Sequence, residues 1–104
     1  MKFYKVALFL ILLTSGKVFA QEMLSPEKKY EITNHKTAVE IAANIPDANV
    51  FLNDTYQGRT NLTVYDLTPG VYLLRLEKQG YEIQEFMVEV KNHYGQCYFV
   101  NMKR

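Results

Sequence analysis

The chain has 104 residues and a formal net charge of +1, so it holds a single domain and carries nearly balanced charge. That balance excludes the strongly basic surface that nucleic acid or an anionic membrane recruits. Cys97 is the only cysteine, so no intramolecular disulfide can form.

Residues 1–20 read as a secretory signal peptide. Lys2 and Lys5 form a positive start, Val6 to Leu13 is an unbroken apolar run, and Val18-Phe19-Ala20 ends in the small residue that a signal peptidase needs. The run is too short for a bilayer core, which takes about 20 residues. Cleavage after Ala20 is therefore expected, with no stable membrane span afterwards. Gln21 stands where a lipid anchor would need a cysteine. The expected location is exported: periplasm, cell surface or extracellular. Cleavage removes Lys2, Lys5 and Lys17, which leaves nine basic residues against eleven acidic ones.

Residues 21–36, QEMLSPEKKYEITNHK, show no sustained apolar period and read as an extended lead-in, with His35 a solvated side chain. The domain proper is expected over 37–104. Thr37 to Asn44 alternates with period two and precedes Pro46, which favours a strand over a helix. Ala48, Val50 and Leu52 point one way along the next strand, and Asn53-Asp54 turns it into a short return strand through Tyr56. Gly58 opens a backbone conformation closed to other residues. Leu62 and Val64 share a face of the following strand, and Thr68-Pro69-Gly70 is a turn. From Val71 the alternation is clean: Tyr72, Leu74 and Leu76 on one face, Val71, Leu73, Arg75 and Glu77 on the other. Lys78-Gln79-Gly80 turns the chain again. Phe86, Val88 and Val90 then alternate with Glu85, Met87 and Glu89, a loop follows over 91–95, and Gln96 to Met102 is the last strand. Six or seven short strands with regular turns and no helix describe an all-β fold, a small antiparallel β-sandwich of immunoglobulin-like or transthyretin-like type. Cys97 has two readings, a small buried residue on that last strand or a bridge to another chain.

The stretch from Ile45 to Tyr81 resembles the PEGA domain, a small β-sandwich module of exported prokaryotic proteins. The matching positions are Pro46, Ala48, Val50, Gly58, Thr60, Leu67, Pro69, Gly70, Tyr72, Gly80 and Tyr81, and the likeness covers roughly residues 40 to 104. The chain departs from the pattern in three places. Pro46-Asp47-Ala48 lacks the family's glycine, the hairpin tip is Asn53-Asp54, and Asn61 stands where a proline is usual. The resemblance implies a noncatalytic envelope module that takes part in adhesion, wall contact or protein interaction. It makes Pro46, Gly58, Pro69, Gly70 and Gly80 structural turn residues and supplies no catalytic ones.

Chemistry is scarce. Ser25 is the only serine after residue 20, and His35, His93 and Cys97 are too few and too scattered for zinc. No catalytic residue, metal or cofactor is expected. Tyr56, Tyr81 and Tyr94 fall at a hairpin tip, a Gly-Tyr turn and the last loop, where they could together form a flat binding platform. The expected function is protein–protein interaction in the bacterial cell envelope. The alternative is carbohydrate or peptidoglycan binding through those exposed tyrosines.

Overall fold

Alternation along the strands closes into two four-stranded sheets packed face to face. A computed structural model describes residues 11–14, 17–20 and 22–104. The strands are β1 (Ile11–Thr14), β2 (Lys17–Ala20), β3 (Lys28–Glu31), β4 (Thr37–Ala43), β5 (Asn49–Leu52), β6 (Thr55–Arg59), β7 (Leu62–Tyr65), β8 (Gly70–Glu77), β9 (Gln84–Val90) and β10 (Tyr94–Val100). Strands β1 and β2 pair antiparallel with each other. The remainder of the expected signal peptide lies outside the described residues. No helix among the described residues is long and apolar enough to cross a membrane.

Sheet one has the order β3-β10-β4-β7 and sheet two the order β6-β5-β8-β9. Every pairing is antiparallel except β4 with β10. The Asn44 side chain prolongs that parallel ladder. Its Nδ2 donates to the Met102 carbonyl at 3.1 Å, and its Oδ1 accepts from the Met102 N–H at 2.7 Å.

The core lies between the sheets and is built from the inward members of each alternating pair. Val39 and Ile41 come from β4, Val50 and Leu52 from β5, Leu74 and Leu76 from β8, Val88 and Val90 from β9, and Tyr98 and Val100 from β10. Burial of these side chains is the main stabilising term, at about 1.5–3 kcal/mol for each large one. Tyr98 brings a hydroxyl into this core, and its partners come with it. The hydroxyl donates to the Glu89 carbonyl at 2.8 Å and accepts from Gln96 Nε2 at 2.9 Å. Gln96 Nε2 also donates to Glu89 O, and Gln96 Oε1 accepts from the Lys91 N–H. This small network ties β10 of sheet one to β9 of sheet two, and among the described residues no buried side-chain nitrogen or oxygen is left without a partner.

Turn chemistry sets the connections. Asn53 and Asp54 both take positive φ, 48° and 66°, which is the two-residue hairpin turn that matches strand twist. Asn53 Oδ1 then accepts from the Leu73 N–H at 2.8 Å and fixes the tip to β8. Gly58, at φ 137°, sits beside a bulge, where Gln57 is left over between the pairs Val50–Gly58 and Phe51–Tyr56.

The sandwich has eight strands, one more than the upper expectation. The addition is β3, from the segment expected as a lead-in. Its four residues are all exposed, so no apolar period announces it. Backbone pairing with β10 holds it, together with Tyr30. Gly95 pairs directly with Tyr30, and a Cβ built on Gly95 would lie 2.5 Å from Tyr30 Cζ, 2.6 Å from Cε2 and 2.8 Å from the hydroxyl oxygen. Two adjacent ring carbons and the hydroxyl oxygen at nearly equal distance place the glycine under the hydroxyl end of the ring. The ring therefore lies flat across β10. Upstream, residues 22–24 run along the edge of β9, with Leu24 N–H donating to Met87 O and Met87 N–H to Glu22 O.

Candidate functional site

An antiparallel sheet with one face in water should show polar residues there. Sheet two departs from this on its outer face. The outward residue of β5 opposite Arg75 is Phe51, and its partner on β6 is Tyr56. Their rings meet at 5.5 Å with a tilt of 60°. On β8 the outward residues begin with Val71 and Leu73, and Leu73 pairs with Met87 of β9. Met87 is bridged in turn by Met23. Met23, Met87, Leu73, Phe51 and Tyr56 thus run in a diagonal band across the sheet, with Val71 beside it. Val71 is 50% exposed and Tyr56 53%.

Arg75 crosses this band. Its guanidinium carbon lies 4.5 Å from the centroid of the Phe51 ring, Nε donates to Glu77 Oε2 at 2.8 Å, and Nη1 donates to Asp54 Oδ1. These carboxylates raise its pKa further, Asp54 most, so the cation is permanent. It is also locally neutralised, and it serves the band as a flat planar filler stacked on Phe51.

The outer face of sheet one is different in kind. Tyr30, Gly95, Ala38 and Tyr65 form one row across β3, β10, β4 and β7. Two half-exposed rings thus flank a floor of small residues. His35 stacks on Tyr65 at 4.3 Å, and its Nδ1 lies 3.4 Å from Asp66 Oδ2. The next row is Lys28, Cys97, Glu40 and Thr63, so polar groups interrupt this face.

The three tyrosines expected to form one platform are not brought together. Tyr56 lies on the outer face of sheet two. Tyr81 sits in the turn after β8, half-buried against the core, where its hydroxyl accepts from Arg104 Nη2 at 3.0 Å. Tyr94 opens β10, with Lys29 Nζ 5.7 Å from its ring centroid. Tyr94 stands at the start of β10 and Arg104 beyond its end, and the seven extended residues of that strand alone span about 20 Å. Spacing along the chain could not show this, because the separation comes from the pairing of distant strands. Of the residues read as structural turns, Pro46 precedes β5, Gly58 is at the bulge of β6, Pro69 precedes β8 and Gly70 opens it, and Gly80 takes φ 89° in the turn after it.

Cys97 is half-buried and faces outward, on the side of sheet one opposite Tyr98. Its thiol donates to Glu40 Oε1 at 3.3 Å. Desolvation, and after it the Glu40 carboxylate, push the thiol pKa up, so the reactive thiolate is disfavoured. His93 lies in the turn before β10 with its N–H on the Lys36 carbonyl, and no hydrogen bond joins it to Cys97. Among the described residues no group of three or more His, Cys, Asp or Glu side chains is placed to hold a metal ion.

The sequence reading passed over Phe51, Leu73, Met87, Tyr30 and Tyr65. A signal existed for the first three. They are apolar residues on the strand face where Asn49, Arg75, Glu85 and Glu89 otherwise stand. Tyr30 gave none, since its strand has no pattern of its own.

The family model described as PEGA domain matches residues 36–103, and the chain belongs to that family. Strand β3 and the segment along β9 precede the matched region. No curated protein matches the chain.

Proposed function

We propose that this PEGA-domain chain is an exported, noncatalytic module that binds another protein of the cell envelope through the outer face of sheet two. The observation that carries the reading is the contiguous apolar band of Phe51, Tyr56, Leu73 and Met87, on a face whose alternation should have been polar. Aromatic and methionine side chains with one stacked arginine are the composition that protein interfaces favour. Sheet edges serve such binding less well here. The β6 edge carries a bulge, the β9 edge is covered by residues 22–24, β3 bears Lys28, Lys29 and Glu31, and β7 has only four residues. A photo-activatable cross-linker at Leu73, with the same group at Thr63 on the opposite sheet as control, tests this in intact cells. A defined adduct from Leu73 alone supports the reading. Equal adducts from both sites, or none from either, sink it.

A second reading rests on its own observation, the flat, half-exposed Tyr30 ring in a row with Tyr65. Aromatic faces beside polar groups suit a glycan strand. Co-sedimentation with isolated cell-wall sacculi tests it. Saturable binding that survives moderate salt and falls on Tyr65→Ala favours the glycan, and a folded protein left in the supernatant removes it.

A further inference from the structure

The apolar band of sheet two ends in a notch with a different chemistry. Asp47, Asn49, Arg59, Lys78 and Gln79 line an open cavity of about 430 Å³. Arg59 pairs with Asn49 across β6 and β5, and Asn49 pairs with Glu77 on β8. Lys78 follows Glu77, and its Nζ reaches the Asp47 carbonyl at 3.4 Å. Among the described residues no carboxylate forms an ion pair with Arg59 or Lys78. Glu77 is engaged by Arg75. Asp47 also lines the notch, offers Lys78 its backbone carbonyl, and forms an ion pair with neither cation. Two cations and two side-chain amides against one carboxylate leave the space with a net positive charge and donors to spare.

We infer that this notch receives a carboxylate of the same protein partner that covers the apolar band, an inference that rests on the protein-binding reading above. Charge complementarity selects an anion, and the planar guanidinium of Arg59 with the neighbouring amides suits a carboxylate. The geometry gives the spacing. Asn49 and Phe51 are two residues apart on one face of β5, about 6.7 Å along an extended chain. Arg59 and Tyr56 flank them on β6. A partner segment laid along β5 in extended conformation places an apolar side chain on Phe51 and Tyr56 and, two residues on, a side chain in the notch. An acidic residue at that second position completes the fit. The recognised element is thus an extended segment with an apolar residue and an acidic residue at i and i+2.

The test uses the protein as recovered after export, labelled for amide-detected nuclear magnetic resonance. Three probes are titrated: a capped five-residue peptide with phenylalanine second and glutamate fourth, the same peptide with glutamine fourth, and inorganic phosphate. The expected result is a set of shifts at Asn49, Phe51, Arg59 and Lys78 that saturates in roughly the millimolar range. The glutamine peptide should bind about threefold to fivefold more weakly, the discrimination of an exposed ion pair. The double variant Arg59→Ala, Lys78→Ala should abolish that difference while the remaining shifts, and hence the fold, persist. Equal binding of the two peptides overturns the proposal. So does the absence of binding, or phosphate alone binding as tightly as the acidic peptide, which makes the notch a general anion site. A partner that cross-links at Leu73 and ignores the double variant sinks the notch and leaves the protein-binding reading intact.

Discussion

Replacing Gly95 with alanine should destabilise the domain, and the sign of the effect should reverse when Tyr30 is removed. The new methyl would sit 2.5 Å from Tyr30 Cζ, closer than any real contact allows. The ring is the far end of a flexible side chain, so it lifts into solvent rather than straining the backbone. The cost is then the burial that the ring gives up. Tyr30 is 45% exposed. A tyrosine can bury roughly 150–250 Å², so about 100 Å² is at stake, or about 2.5 kcal/mol at ~25 cal/mol/Å². That is an upper bound, because the unfolded chain hides some of the same surface. Against it stands a gain of about 0.4–1 kcal/mol from stiffening the unfolded chain at an ordinary strand position. The net expectation for Gly95→Ala is a loss of about 1–2 kcal/mol. In a Tyr30→Ala background nothing overlies Gly95, and the same substitution should stabilise by about 0.4–1 kcal/mol. Urea denaturation followed by circular dichroism measures all four corners of the cycle. An equal loss from Gly95→Ala with and without Tyr30 would refute the claim that the ring lies on the glycine.

Tyr98→Phe removes a hydroxyl bonded to Glu89 O and Gln96 Nε2 and should cost about 1–2 kcal/mol in the same assay. Burial pushes the Tyr98 pKa up from 10.0 to about 12, so ultraviolet titration should show a late phenol ionisation that Tyr98→Phe removes. The folded state then holds a proton that the unfolded state releases, so this contribution is complete below pH 10 and is lost between pH 10 and 12. Tyr98→Phe should flatten that alkaline slope. At the acid end, the Lys36 N–H and then His35 hold the Asp66 carboxyl below its usual 3.8. Its stabilisation is present above that value and is lost as pH falls through the lowered pKa, so Asp66→Asn should weaken the acid dependence below pH ~4, read as unfolding midpoints at pH 3 and 5. Deleting residues 22–35 should lower stability although the family match begins at residue 36, since it uncovers the β10 and β9 edges. An unchanged midpoint would show the segment to be dispensable.

What could be read in the sequence follows from what periodicity encodes. In β5, β8 and β9 an apolar set alternates with a partly polar one, so the inward faces of Val50, Leu74 and Val88 were legible before any partner strand was known. In β10 both alternating sets are largely apolar, Tyr98 and Val100 on one side and Cys97 and Phe99 on the other. A slip of one residue exchanges them, and hydrophobicity alone cannot choose. The choice is made by Gln96, which can enter the core only because Tyr98 and Glu89 satisfy its amide. Strand β3 was invisible because a backbone ladder and a single ring hold it, not an apolar stripe. The parallel pairing of β4 with β10 and the wide separation of Tyr81 from Tyr94 are consequences of topology, on which local pattern is silent. The candidate surface was half legible. Its apolar residues stand in plain alternation, but adjacency of Phe51 to Leu73 and of Arg59 to Asn49 exists only after the strands have paired.

The way the chain treats its edges bears on the proposed protein-binding reading. A sandwich exposes four edge strands, and each is an open ladder for another chain unless something blunts it. Here the same upstream segment serves two of them. It runs along β9 over residues 22–24, crosses the open side and becomes β3, whose own outer edge carries two lysines and a glutamate. On the far side Thr60 and Asn61 carry the chain from the bulged β6 to the short β7. Strand addition to any of these edges must displace a pairing, follow a bulge or bury a charge. The outer face of sheet two carries no such protection along its apolar band, which runs across β5, β8 and β9, is crossed by Arg75 and has a net cationic notch at its end. A partner that lies across the face keeps every native ladder intact and covers apolar surface at once. That asymmetry favours docking onto the face of sheet two over strand addition at an edge.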